Sequence, residues 1–91
     1  PVTDTIMVSK ANYNNKKKQV TIQWDEIKTH EMKGYVVYVT DDSGILRPAS
    51  GLSIYTEFKV KKELNAPLEI EVRGYTKDGD IIRSGKTTIK I

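Results

Sequence analysis

His30 is the side chain of this 91-residue sequence best suited to acid–base chemistry at neutral pH. It is the sole histidine, and Glu31 follows it directly. The sequence has no cysteine, so a thiolate nucleophile and a Cys-ligated zinc are both excluded. A serine partner for His30 would have to come from elsewhere in the fold. We therefore interpret His30 as a surface residue and predict no catalytic residues and no enzymatic activity.

Carboxylates occur in close pairs, which suggests glycoside hydrolysis or calcium binding. Hydrolysis of a glycosidic bond needs two carboxylates facing each other across a cleft, and a chain this short has little core to spare for one. Calcium prefers carboxylate oxygens on loops, but no pair matches an EF-hand loop. We interpret the pairs as turn or solvated strand residues and predict no metal and no cofactor. They are Asp25 with Glu26, Asp41 with Asp42, Glu69 with Glu71, and Asp78 with Asp80.

The run Lys16-Lys17-Lys18 raises the question of nucleic-acid binding. The net charge is only +3, and no aromatic residues alternate with the lysines to stack on bases. We predict a solvated turn and no nucleic-acid partner.

A candidate binding face follows from strand alternation. If Tyr35 and Val37 point inward, a second set of side chains must point outward on the same sheet. Tyrosine and arginine are enriched at protein interfaces, and exposed aromatic rings also suit sugars. Ordinary cross-strand packing is the simpler interpretation, and the sequence favours it. The candidate residues for binding a protein or glycan ligand are Val36, Tyr38, Arg73 and Tyr75.

The elements that would position these residues are strands. Val, Ile and Thr make up 27 of the 91 residues whereas Ala and Leu make up 7, a balance that favours pleated sheet over helix. Residues 25–33 are interpreted as a loop with at most one helical turn, and turns are predicted at residues 12–18, 41–44 and 77–80. Strands are predicted at residues 6–8, 19–24, 35–40, 45–47, 53–60, 68–75 and 81–91, the last interrupted at Ser84-Gly85.

Such a pattern predicts an all-β fold, a two-sheet antiparallel immunoglobulin-like sandwich of about seven strands. An open barrel is the main competitor. Residues 1–5 are assigned to a linker end and residues 6–91 to one domain. Trp24, Tyr35 and Val72 are expected to meet in a dry seam between the two sheets.

The chain resembles the fibronectin type III module over nearly its whole length. Residues 20–25 (Val-Thr-Ile-Gln-Trp-Asp) resemble the family's second strand, residues 32–38 (Met-Lys-Gly-Tyr-Val-Val-Tyr) its third, and residues 68–74 followed by Gly79 its sixth strand and turn. Two features depart from the family: Leu68 stands where a tyrosine is usual, and no proline follows Trp24.

The resemblance implies a noncatalytic spacer or presentation unit in a larger secreted, cell-surface or envelope-associated protein, with the neighbouring domains as its partners. The alternative is a protein- or glycan-binding module, accessory to a bacterial polysaccharide-degrading enzyme or part of a phage virion protein. The family's adhesion turn is not reproduced, because residues 77–80 read Lys-Asp-Gly-Asp.

The location expected from the resemblance is extracellular or cell-surface, or alternatively in a virion. The chain begins with Pro1, which we interpret as the start of an excised or processed fragment. No apolar run is long enough to insert into a membrane, and the isolated domain is expected to be monomeric. The Cys-free composition, rich in Lys and Asn, favours a bacterial or phage source.

Overall fold

The computed structural model describes residues 4–91, which form two antiparallel sheets stacked as a β-sandwich. The predicted all-β, immunoglobulin-like architecture is confirmed, with eight strands instead of about seven. The predicted linker end lies mostly in residues 1–3, outside the described residues. The strands are β1 Val8–Asn14, β2 Gln19–Trp24, β3 Met32–Thr40, β4 Leu46–Pro48, β5 Glu57–Lys61, β6 Leu68–Thr76, β7 Ile81–Arg83 and β8 Thr87–Ile89.

The smaller sheet has the order β1-β2-β5, and the larger has the order β4-β3-β6-β7, with β8 also pairing with β6. In β2 the side chains alternate strictly, so that Val20, Ile22 and Trp24 are buried while the residues between them are half-exposed. This period of two places one face of β2 against the larger sheet. Within residues 4–91, no helix is long and apolar enough to cross a membrane.

The seam between the sheets is built around two aromatic rings. Trp24 from the smaller sheet meets Tyr35 from the larger one edge to face, with ring centroids 5.8 Å apart and planes at 61°. Val72 is fully buried in the same cluster, so Trp24, Tyr35 and Val72 meet between the two sheets as expected. The buried hydrophobic cluster comprises Ile6, Val20, Ile22, Trp24, Tyr35, Val37, Ile70, Val72, Ile82 and Ile89.

The predicted strand at residues 53–60 is wrong in its first half. β5 begins only at Glu57, and Ile54, which was expected to face inward, is exposed. The preceding segment instead runs beside β3 in the other sheet. The Tyr35 N–H donates to the Ser53 carbonyl at 2.7 Å, the Ser53 N–H donates back at 3.1 Å, and the Ala49 N–H donates to Val37 at 2.8 Å. Backbone pairing with β3 therefore overrides the alternating sequence.

The first strand is longer and later than predicted. β1 starts at Val8 and continues through Asn12 to Asn14, although this stretch was assigned to a turn. Its backbone pairs with β2, with Asn12 opposite Thr21 and Tyr13 opposite Val20. Polar residues are tolerated there because one side of the strand faces solvent.

The outer strands of the larger sheet are interrupted on each side of its central pair, β3 and β6, and a serine lies at each interruption. Ser84 lies in the predicted break between β7 and β8, where its hydroxyl accepts the Val72 N–H at 2.9 Å. On the other side, the Ser50 hydroxyl accepts the Val37 N–H at 2.9 Å. Each hydroxyl takes the place of a backbone carbonyl, so no central amide is left unpaired where the outer strand breaks.

Replacing Gly34 with alanine is expected to destabilise the fold by about 1–3 kcal/mol. Gly34 has a φ of +154°, and a Cβ there would lie 2.8 Å from the Ser53 carbonyl oxygen. That oxygen is held by the Tyr35 N–H, so it cannot withdraw without breaking the bridge. The measurement is the free energy of unfolding in urea.

Gly51→Ala is the matched control, because a Cβ at Gly51 would have no atom within 4 Å. It should change the stability by no more than about 0.5 kcal/mol. Equal losses in the two variants would contradict the close approach of Ser53 to β3.

Candidate binding surface

The outer side of the larger sheet brings together the four residues singled out from the sequence. Val36 lies opposite Arg73 in the β3–β6 pairing, and the Tyr38 hydroxyl lies 2.5 Å from the Tyr75 hydroxyl. We call Val36, Tyr38, Arg73 and Tyr75 the tyrosine patch. The strand alternation that predicted this grouping places all four side chains on the face opposite the core.

Polar groups in the tyrosine patch are largely paired with one another. The Arg73 guanidinium lies 4.3 Å from the centre of the Tyr38 ring, within cation–π range. Its Nε donates to Glu71 Oε2 at 2.6 Å, and Glu71 is only 6% exposed. The chain Glu71–Arg73–Tyr38–Tyr75 is therefore a connected network that holds both tyrosine rings in place.

Burial and hydrogen bonding shift the pKa values of two groups in the network, Tyr75 and Arg73. Burial raises the pKa of Tyr75, and its hydrogen bond with Tyr38 raises that pKa further. The hydrogen bond to Glu71 raises the pKa of Arg73. Tyr75 therefore stays protonated and Arg73 stays charged well above pH 7.

The tyrosine patch is less exposed than the sequence suggested. Val36 is only 8% exposed, and the two tyrosines and Arg73 are half-buried. Leu52, which belongs to the segment that runs beside β3, lines a cleft together with Val36 and Tyr75. Part of the patch, Val36 and Tyr75, therefore forms the base of a cleft, and Leu52 forms part of the wall.

A cleft of about 460 Å³ opens over this end of the patch, and we call it the Leu52 cleft. Leu52 is 56% exposed, and nearby Ile81, which pairs with Tyr75, is 42% exposed. A lysine and an aspartate lie among the lining residues. The cleft is lined by Lys33, Val36, Leu52, Tyr75, Thr76, Gly79 and Asp80.

Sequence reasoning missed the cleft residues beyond Val36 and Tyr75. Leu52 was assigned to no predicted element, and its position depends on the Tyr35–Ser53 bridge between distant parts of the chain. Asp80 and Gly79 were recognised as a turn, but which side chains that turn would face could not be deduced. The one available signal was an isolated leucine in a polar Ser-Gly-Leu-Ser segment.

His30 is arranged in a way that does not support catalysis by a relay. Its Nδ1 lies 3.2 Å from Asp4 Oδ2 and 3.0 Å from Thr29 Oγ1, and the Thr29 hydroxyl also donates to Asp4. A nucleophile–base–acid relay needs the hydroxyl and the carboxylate on different ring nitrogens. Here both contact the same nitrogen.

Side-chain hydrogen bonds hold the backbone in a turn in the two acidic loops, residues 41–45 and 76–80. Asp41 accepts the backbone N–H groups of Ser43 at 2.9 Å and Ile45 at 3.0 Å, and its other oxygen accepts Arg47 Nε at 2.5 Å. The Arg47 hydrogen bond, with help from the backbone, lowers the pKa of Asp41. In the other loop, the Asp80 N–H donates to Thr76 Oγ1 at 2.9 Å. In the described part of the chain, no group of three or more His, Cys, Asp or Glu side chains is placed to hold a metal ion.

Comparison with known proteins returned a structural likeness. No protein-family model matches the chain, and the curated proteins contain no match. Among solved structures, the chain is similar to CopC from Methylosinus trichosporium OB3b, with a TM-score of 0.52 and 17% sequence identity. The alignment covers 93% of this chain and 91% of that one. At this level of identity, the likeness shows a shared sandwich fold, and it does not show fibronectin type III identity.

The comparison also corrects the function expected from the sequence. The likeness to CopC, which shows the sandwich fold, lends no support to a noncatalytic fibronectin type III spacer. The spacer prediction, which depended on the fibronectin type III resemblance, is therefore wrong. The identity of any ligand has to be argued from this chain's own residues.

Glu71→Gln is expected to destabilise the domain by about 1–3 kcal/mol, because it leaves the half-buried Arg73 without its charged partner. The measurement is the free energy of unfolding in urea.

Glu69→Gln is the control on the same strand. The Glu69 carboxylate lies 3.4 Å from Lys86 Nζ in a more exposed ion pair. Its loss should cost less than about 1 kcal/mol. A smaller effect at Glu71 than at Glu69 would contradict a structural role for the network.

Proposed function

We propose that this domain binds a partner protein by holding one of its large apolar side chains in the Leu52 cleft. The observation that carries the proposal is a cleft with an apolar base and wall, Val36, Tyr75 and Leu52, next to the paired network of the tyrosine patch. Its volume of about 460 Å³ lies within the range of ligand pockets.

The surroundings of the cleft support a protein ligand. Exposed Leu52 and Ile81 offer apolar area beside the cleft, and Lys33 and Asp80 add one charge of each sign to its lining. An apolar centre with polar surroundings is the usual anatomy of a protein interface. Tyrosine and arginine, both present in the patch, are enriched among residues that dominate binding energy.

A glycan ligand is less well supported. Sugar recognition needs polar groups free to bond hydroxyls and an aromatic face free to stack. The Tyr38 and Tyr75 hydroxyls bond each other, and Arg73 both bonds Glu71 and lies over the Tyr38 ring. An apolar side chain would require none of these interactions to be broken.

An envelope or extracellular location fits this role at a coarse level. The support is that CopC is periplasmic. Nothing in the comparisons supports a virion location.

The binding proposal is tested with a displayed library of random peptides selected on the immobilised domain. We expect the enriched peptides to share a large apolar residue. Leu52→Asp should weaken their binding at least tenfold, about 1.4 kcal/mol, because it places a charge in the cleft wall. The measurement is the peptide dissociation constant by isothermal titration calorimetry.

Ile54→Asp is the matched control, because Ile54 is exposed two residues further on and does not line the cleft. It should leave peptide affinity unchanged. Peptides that bind both variants equally, or no enrichment over a blank support, would refute the proposal. Binding on a glycan array that disappears in Tyr38→Ala would favour a sugar ligand instead.

Copper binding, which the CopC likeness suggests, does not fit the residues described. Divalent copper favours imidazole ligands, and the sequence has one histidine. Among residues 4–91, Asp4 is the one carboxylate within ion-pair distance of it, at 3.2 Å. A ligand present at 100 times its dissociation constant stabilises a fold by about 2.7 kcal/mol. We expect Cu²⁺ to produce no such increase over an EDTA control in urea unfolding. An increase that is lost in His30→Ala would establish a copper site.

A further inference from the structure

We propose that one end of the smaller sheet is a docking surface for a bilayer carrying anionic phospholipid. The surface consists of five exposed lysines from two distant parts of the sequence, and we call it the lysine tip. Its members are Lys16, Lys17, Lys18, Lys61 and Lys62.

Strand pairing brings the two groups of lysines together. Lys61 at the end of β5 lies opposite Gln19 at the start of β2. The Lys62 N–H donates to the Lys18 carbonyl at 2.8 Å. The sequence shows a run of three lysines, but the fold makes a group of five at one end of the smaller sheet.

The positive charge of the lysine tip is not neutralised within the domain. Among residues 4–91, none of the five lysines takes part in an ion pair, whereas Lys59 and Lys86 each pair with a glutamate. Glu63 follows Lys62 and is the one carboxylate adjacent to the tip along the chain. Clustered like charges are unfavourable unless a counter-charge approaches.

The turn that carries Lys16 and Lys17 is held by their backbone N–H groups and not by their ammonium groups. The Asn14 side chain accepts the N–H groups of Lys16 and Lys17, both at 3.0 Å. Lys18 completes the turn with a φ of +52°. Two of the three turn lysines therefore extend from a braced turn with no side-chain partner, and Lys18 Nζ bonds only the neutral Asn15 side chain.

A phospholipid surface fits this tip better than nucleic acid does. Lysine binds phosphate as a point charge, without the planar geometry that arginine uses to read bases. None of the tip residues is aromatic, and the nearby Tyr13 hydroxyl accepts the Leu64 N–H at 3.3 Å. A projecting hairpin turn meets a flat array of headgroups more readily than it encloses a strand.

The test is flotation of the domain with vesicles of phosphatidylcholine alone or of phosphatidylcholine mixed with phosphatidylglycerol. We expect binding only to the anionic vesicles, and we expect it to weaken as salt is raised because the lysines are exposed. The triple variant K17Q/K61Q/K62Q should lower the vesicle affinity by about 100-fold.

The matched control is K10Q/K28Q/K77Q, which removes the same net charge from exposed lysines away from the tip. Lys10 lies opposite Gln23, near the other end of β2. Its vesicle affinity should change by less than about threefold, because charges beyond a Debye length are screened. Failure of the wild-type domain to float with anionic vesicles would overturn the proposal, as would equal losses in the two variants. Tighter binding to duplex DNA than to the anionic vesicles would assign the tip to nucleic acid and also overturn it.

Discussion

Tyr35 is the residue on which the arrangement of the larger sheet depends. Its ring packs against Trp24 across the seam, its hydroxyl accepts the Ile27 N–H at 2.9 Å, and its backbone forms both bonds of the bridge to Ser53. Because side chains in a strand alternate, an inward Tyr35 forces Val36 to point outward. The same bridge places Leu52 over the outer face. Tyr35 thus links the core, through its ring, to the candidate binding surface, through its backbone.

The parts of the fold that could be predicted are those that depend on the sequence pattern within a single strand. The alternation in β2 and the interruption at Ser84-Gly85 both reflect one strand's own residues, and both were predicted correctly. β5 was placed too early because residues 53–56 alternate like a strand while pairing across the molecule decides otherwise. The tyrosine patch followed from alternation, but the Leu52 cleft depends on contacts between segments far apart in sequence, which no local pattern reveals.

In this domain, a fold shared with CopC does not imply chemistry shared with CopC. The likeness to CopC covers nearly the whole of both chains, so the sandwich is common to them. Two carboxylates of this chain are nevertheless committed to internal bonds, Asp41 to its turn and Glu71 to Arg73. What the surface offers is an apolar cleft and a cationic tip. Those two surfaces are therefore better evidence of function than the fold is.

Two serine hydroxyls replace backbone acceptors beside β3 and β6. These substitute hydrogen bonds bear on how motion is distributed in the larger sheet. Ser50 and Ser84 secure the amides of Val37 and Val72 where the outer strands break off. Each of those two amides therefore keeps an acceptor although the strand beside it is discontinuous, and we expect both to exchange slowly with solvent. We accordingly expect the central strand pair to stay rigid while local opening is concentrated in the segments at the margins of the sheet.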